Sequence, residues 1–191
     1  MKINANKGLV CLLFILVPLL GRAAPPEWQI EPNQSSLSFT ATQNGAPVTG
    51  QFKTFTGEIF VDPANYKASS VHIVIDMNSI STDYADVKNT LLTADWFDVK
   101  MFPKAEFKST DFNKTGDNSY QAIGNLTIRD KTVPVTLTFT TEQPSADTGV
   151  VIGNTILKRE AFGVGQGEWS STDQIKDDVK VDFKITAKRK N

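Results

Sequence analysis

Apolar and polar residues alternate with a period of two along most of this chain, and no other feature limits its fold so tightly. Val179, Val181, Phe183, Ile185 and Ala187 interleave with Lys180, Asp182, Lys184, Thr186 and Lys188. Val133, Val135, Leu137 and Phe139 alternate with Pro134, Thr136, Thr138 and Thr140, and Leu37, Phe39 and Ala41 with Ser36, Ser38 and Thr40. Val71, Ile73, Ile75 and Met77 do the same with His72, Val74, Asp76 and Asn78. Successive side chains of a strand point to opposite faces, so each run forms a strand with one apolar face. An antiparallel sheet with one wet side reads this way.

The punctuation between runs supports the same reading. Asn44-Gly45-Ala46-Pro47 and Asp147-Thr148-Gly149 read as turns or loops, and Thr115-Gly116-Asp117-Asn118 and Arg129-Asp130-Lys131 as tight hairpins. Strands are expected near 27–31, 35–43, 48–61, 69–78, 104–112, 119–128, 132–142, 149–158 and 177–188. Only 83–98 departs from the pattern, with Tyr84, Val87, Leu91 and Leu92 at helical spacing; one or two short helices are expected there. The fold class is therefore all-β and a single domain. Eight or nine long antiparallel strands can pack as a two-sheet sandwich or close into an up-and-down barrel, and closure removes exposed edges. About eight strands leave an interior wide enough for side chains or one small ligand. The alternation alone leaves both architectures open.

The first residues have the three parts of a secretory signal. Lys2 and Lys7 give a positive start, Leu9 to Leu20 is an uncharged apolar run, and Gly21-Arg22-Ala23 supplies small residues at −3 and −1. Cleavage is expected after Ala23, leaving 24–191 as the mature chain. Cys11, the single cysteine, lies inside the apolar run, with Gly8-Leu9-Val10 before it; this does not fit a lipid-anchoring signal. The mature chain would then carry no thiol and no disulfide and would depend on its core. The formal charge is −1, and removing Lys2, Lys7 and Arg22 makes it more acidic. A nucleic-acid partner, which leaves a basic footprint, is not expected.

Groups that could carry catalysis are scarce. His72 is the single histidine, so neither a histidine-based triad nor a multi-histidine metal site can form within one chain. It falls on the polar side of its strand. Gly163-Val164-Gly165-Gln166-Gly167 lacks the spacing and the βαβ setting of a nucleotide loop. Asp83, Asp86, Asp95, Asp98, Asp177 and Asp178 lie in polar surroundings that give no cause for a raised pKa. No catalytic residue and no metal site are assigned. What the chain has in surplus is aromatic bulk, with 12 Phe, which serves equally as a packed core or as the wall of an apolar pocket.

Several segments, in order, resemble the YceI-like family. They are Trp28 to Phe39, Val48-Thr49-Gly50-Gln51-Phe52, Ala94-Asp95-Trp96-Phe97-Asp98-Val99 with Phe102-Pro103-Lys104-Ala105-Glu106-Phe107-Lys108-Ser109, Gly124-Asn125-Leu126-Thr127-Ile128-Arg129-Asp130-Lys131-Thr132, and Leu157-Lys158-Arg159-Glu160-Ala161-Phe162-Gly163-Val164. Each is short, but together they span almost all of the mature chain. Two positions depart from the family pattern: Arg129-Asp130-Lys131 replaces a glycine-containing hairpin, and Trp96 replaces the commoner first Phe.

The resemblance implies an extended, lipocalin-like antiparallel β-barrel whose channel binds isoprenoid chains or similar amphiphiles, in the periplasm. It also implies association with a membrane or a b-type cytochrome, which points to quinone or polyprenyl handling. On this reading Phe39, Phe52, Trp96, Phe97, Phe107, Leu126, Ile128, Leu137, Phe139, Phe162 and Phe183 would contact the lipid, and Arg159 would meet its head group. No cofactor is required; a bound isoprenoid lipid or quinone is the expected ligand, and the chain acts as a monomer or a homodimer. Two other readings stay open: a quinone-linked redox or stress-response protein, and a ligand-free β-sandwich that serves as an interaction module.

Overall fold

The computed structural model of the protein describes residues 24–190; the expected leader and its cleavage after Ala23 lie outside the described residues. In chain order the elements are β1 (Glu27–Ile30), β2 (Ser36–Gln43), β3 (Ala46–Phe52), β4 (Phe55–Phe60), β5 (Ser70–Asp76), β6 (Ile80–Thr82), α1 (Ala85–Leu91), β7 (Lys104–Lys114), β8 (Ser119–Ile128), β9 (Lys131–Ser145), β10 (Thr148–Lys158) and β11 (Asp178–Arg189). Every pairing is antiparallel, and β1-β4-β5-β7-β8-β9-β10-β11 returns to β1 as a closed ring of eight. The barrel expected from the resemblance is what forms, and the sandwich is set aside.

The three remaining strands lengthen staves already in the ring. β11 pairs with β1 through Ala187–Arg189 and with β2 through Lys180–Lys184. In the same way β2-β3 and β3-β6 continue the ladders begun by β1-β4 and β4-β5. Each break has a local cause. Pro32 opens a single 3-10 turn between β1 and β2, where its fixed φ suits a turn and its missing N–H leaves the ladder. Asp76 accepts from the Asn78 N–H at 3.0 Å and starts the turn between β5 and β6. The single strand that the alternation predicts over 48–61 is therefore two, interrupted at Lys53 and Thr54, and β6 lies beyond the strand predicted over 69–78. Over 83–98 there is one α-helix, α1, followed by turns that bring the Phe97 N–H to the Leu91 carbonyl at 3.0 Å.

Two hairpins show how the chain reverses. Asn44 and Gly45 both have positive φ (50° and 80°) between the paired Gln43 and Ala46, the conformation whose twist matches flanking strands. Ala46 and Pro47, read as turn residues from the sequence, belong to β3. At the second hairpin Arg129 has φ of 56°, unusual for a long side chain. Its Nη1 donates to the carbonyls of Ala94, Trp96 and Gly163 at 2.8, 2.6 and 3.1 Å, and these contacts hold the turn.

The two ends of the barrel differ. One, here called the rim, carries the turns at 61–69, 115–118 and 146–147, together with residues 24–26 and the end of β11. The other, the base, carries α1, the segment 92–103 and the long connection 159–177 between β10 and β11. The tightly packed core sits toward the base, where Phe162, Val164, Ile175, Leu91 and Trp96 are all buried.

Candidate ligand cavity

The inward faces of the strands do not meet at the barrel axis. They enclose a cavity of about 400 Å³, within the range of small-molecule sites. Its lining is contributed by strands all round the barrel and by the base segments. At the rim the lining residues include Pro63, Tyr66, Thr141, Glu142 and Gln143, and Glu142 and Gln143 are exposed to solvent. At the base it is closed by Trp96, Phe162, Val164 and Ile175, of which Phe162 is only 2% exposed. The cavity is thus a blind channel, open at the rim. Among the described residues that line it, only Glu142 and Arg159 are charged.

All twelve residues singled out from the sequence reach this lining. Phe39 and Phe183 stand on β2 and β11, Phe107 on β7, Leu126 and Ile128 on β8, Leu137 and Phe139 on β9, and Phe52 at the end of β3. Trp96, Phe97 and Phe162 come from the base segments. Phe52 bridges wall and base, with ring centroids 5.9 Å from Phe39 and 6.1 Å from Phe97. Trp96 packs on Trp169 at 5.8 Å.

Glycines on the inward faces make room for these rings. A Cβ on Gly153 would lie 2.6 Å from both Phe139 Cβ and Phe183 Cζ, and Phe139 and Phe183 are its two cross-strand partners. Both rings lean across the space that a side chain there would fill.

Arg159 is 3% exposed and has no carboxylate partner among the described residues. Instead its five N–H groups point at backbone carbonyls: Nε at Lys176 (3.3 Å), Nη1 at Val164 and Gly165 (3.0 Å each), and Nη2 at Ile175 (3.0 Å) and Ser171 (3.4 Å). A guanidinium has five donors and no acceptor, so all are committed to the base connection. The head-group role expected of Arg159 does not fit this geometry: it sits at the blind end with no free N–H. It fastens the 159–177 connection over the bottom of the barrel. Gly163, Gly165 and Gly167, all at positive φ, let that connection turn tightly around it.

His72 lies on the outer wall, as its place in the alternation predicts. It stands 3.2 Å from Glu106 and 3.7 Å from Glu58. Lys108 and then His72 hydrogen-bond the Glu106 carboxylate and hold its pKa below the ordinary value. This cluster faces away from the cavity, as the alternation of β5 and β7 requires. Among the described residues, no group of three or more His, Cys, Asp and Glu is placed to hold a metal ion.

Among the lining residues that sequence reasoning did not single out are Trp28, Tyr66, Phe112 and Tyr120. Trp28 could have been found, since it alternates with Ile30. Tyr66 comes from a turn, where alternation says nothing. Phe112 faces inward because a bulge between Ser109 and Asp111 shifts the register of β7 against β8, which re-aims every residue beyond it. Tyr120 stacks on Phe139 (5.9 Å, 18°) and meets Tyr66 edge-on at 5.7 Å, forming an aromatic row beneath the rim.

Comparison with known proteins places the chain clearly. The model of the YceI-like domain matches residues 28–187. A UPF0312 protein of Vibrio cholerae is 30% identical over 156 residues, covering 81% of this chain and 72% of that protein. Among solved structures, Burkholderia cenocepacia BcnA superposes with a TM-score of 0.79 at 33% identity, covering 82% of this chain and 98% of its own. A polyisoprenoid binding domain from Saccharophagus degradans, implicated in plant cell wall breakdown, shares the fold with a TM-score of 0.68 at 16% identity, covering 86% and 99%.

Proposed function

This chain belongs to the YceI-like family, and on that premise we propose that it binds and carries an amphiphilic lipid of isoprenoid type, polyprenyl or quinone, with the tail inside the barrel. The observation that carries the reading is the blind channel, whose wall, among the described residues, holds no charged group between Glu142 at the rim and Arg159 at the base. Such a wall, apolar apart from a few hydroxyls such as those of Ser38 and Thr155, suits a hydrocarbon tail far better than a polar head, so the ligand enters tail first. Burying several hundred Å² of apolar tail gains on the order of 10 kcal/mol before the losses of ordering and association.

The Saccharophagus neighbour, named for polyisoprenoid binding, supports this ligand class on a shared fold. Binding, not catalysis, is the role proposed. The leader read from the sequence supports a site of action in the periplasm, where the protein would exchange its lipid with a membrane or a membrane-bound b-type cytochrome. The experiment is organic extraction and mass spectrometry of protein purified from its native compartment. A co-purifying lipid in near-stoichiometric amount is expected. Protein that carries no extractable lipid and takes up none from detergent-dispersed polyprenol would overturn the reading.

A further inference from the structure

The rim needs a group to meet the lipid head, and Arg159 cannot supply it. We infer that Lys114, with the Tyr66 and Tyr120 hydroxyls, forms the head-group site, and that it takes an anionic oxygen group such as a phosphate monoester. This inference rests on the lipid-carrier reading above.

The placement follows from the bulge in β7. Beyond the shift at Ser109/Asp111, Phe112 pairs with Ala122 and Lys114 with Tyr120. Phe112, Ala122 and Tyr120 all line the cavity, so Lys114 occupies the inward side of the last β7 position, at the rim. The break in register has a partner on the neighbouring strand. The Ser109 hydroxyl accepts from the Val71 N–H at 2.9 Å, replacing a ladder bond at the point where β5 and β7 part. Without the bulge, Lys114 would face outward.

Two lysines lie near this part of the rim, and their surroundings differ. Lys67 is clasped by Asp111 at 3.0 Å and Asn113 at 2.9 Å on the outer side. Lys114 has the Tyr120 ring beside it, 5.9 Å from Nζ to the centroid, and no ion pair among the described residues. Tyr66 meets Tyr120 edge-on at 5.7 Å, and neither phenol has a hydrogen-bond partner among the described residues. A cation and two phenol rings therefore neighbour one another on one side of the opening. Glu142 lines the same opening and disfavours an anion lodged close to it, which biases the head toward Lys114. A tail filling the channel delivers its head to this point.

The test uses a polyprenyl monophosphate and the polyprenol of the same chain length, each titrated by quenching of tryptophan fluorescence, since Trp28 and Trp96 line the channel. Wild-type protein and the Lys114→Gln, Lys114→Arg and Lys180→Gln variants are compared; Lys180 lies on the outer wall, paired with Asp182 at 2.8 Å. Loss of a charge-assisted contact is expected to weaken the phosphate by about tenfold in Lys114→Gln. Polyprenol binding should not change, Lys114→Arg should keep most of the affinity, and Lys180→Gln should behave as wild type. Equal weakening of both lipids, or no effect on the phosphate, overturns the head-group assignment and leaves the carrier reading standing. If wild type binds neither lipid, both fall together.

Discussion

Arg159 Nη2 donates to the Ile175 carbonyl across 3.0 Å, linking the start of the base connection to its far end. The same guanidinium reaches Val164, Gly165, Ser171 and Lys176, so one side chain closes the connection over the bottom of the barrel. Removing it leaves the buried carbonyls of Val164, Gly165 and Ile175 without this donor. The Arg159→Ala variant should lose about 3–5 kcal/mol in urea denaturation, the range for breaking a buried charged network. Arg159→Lys should lose most of that, because an ammonium cannot reach five carbonyls in one plane. A loss below about 1 kcal/mol in Arg159→Ala would show that the base is held by packing alone.

Gly153→Ala places a methyl where Phe139 and Phe183 lean across β10. The backbone carbonyl of Thr138 is also in contact range, so the wall itself must shift. Overpacking of this kind costs about 1–3 kcal/mol, and the rings should be pushed into the channel. Thermal denaturation should show the loss, and lipid capacity should fall with it. A variant of wild-type stability and capacity would mean that the wall flexes more easily than its hydrogen bonding suggests.

Val151 offers a way to separate channel from core. It lines the cavity from β10 and is only half-buried, opposite Ile185. Val151→Phe should fill space that is otherwise free, leaving stability within about 1 kcal/mol of wild type while reducing the lipid recovered by extraction. Parallel losses of stability and lipid would instead identify the position as core.

Glu106 ties stability to pH. Hydrogen bonds from Lys108 and then His72 lower its pKa below the ordinary 4.5. A carboxylate that is more acidic in the folded chain contributes stability that is fully present above its unfolded value and is lost as pH falls through its folded value. Thermal midpoints recorded from pH 7 to pH 3 should fall less steeply in acid for Glu106→Gln than for wild type, with the two curves converging at the acid end. Curves that stay parallel throughout would show that the outer-wall cluster does not couple to folding. The group is partly exposed, so added salt should shrink the difference.

How much of this was legible in the sequence depends on whether alternation governs the residue concerned. Strands β7 to β11 and the inward set Val179, Val181, Phe183, Ile185 and Ala187 follow from period two, because each side chain's face is fixed by its neighbour's. The resemblance supplied closure, which alternation leaves open. The break at Pro32 was legible, since separate strands are expected over 27–31 and 35–43; those at Lys53-Thr54 and after Asp76 were not read, since each is a local turn inside an otherwise continuous stave. Phe112 and Tyr66 were missed for related reasons: one lies beyond a bulge, the other in a turn. Arg159 was read as the head-group contact, whereas in the fold its donors are taken up by the base connection. Its segment marks the position, but only three dimensions show its donors facing carbonyls.

The ring is joined where β11 meets β1 and β2: Trp28 pairs with Arg189, and the Ser35 hydroxyl accepts from the Thr186 N–H, 151 positions away in sequence. Every other seam of the ring joins strands much nearer in the chain. Local hairpins can form early, but the final seam waits for the last strand and must repay the entropy of bringing distant segments together. Until then β1, β2 and β10 present unpaired edges, and the greasy faces destined for the channel stand open to solvent. The order of events is therefore written into the connectivity: a curled sheet first, a container only when its last strand arrives. Any variant that delays β11 lengthens the life of a sticky intermediate without touching the channel wall.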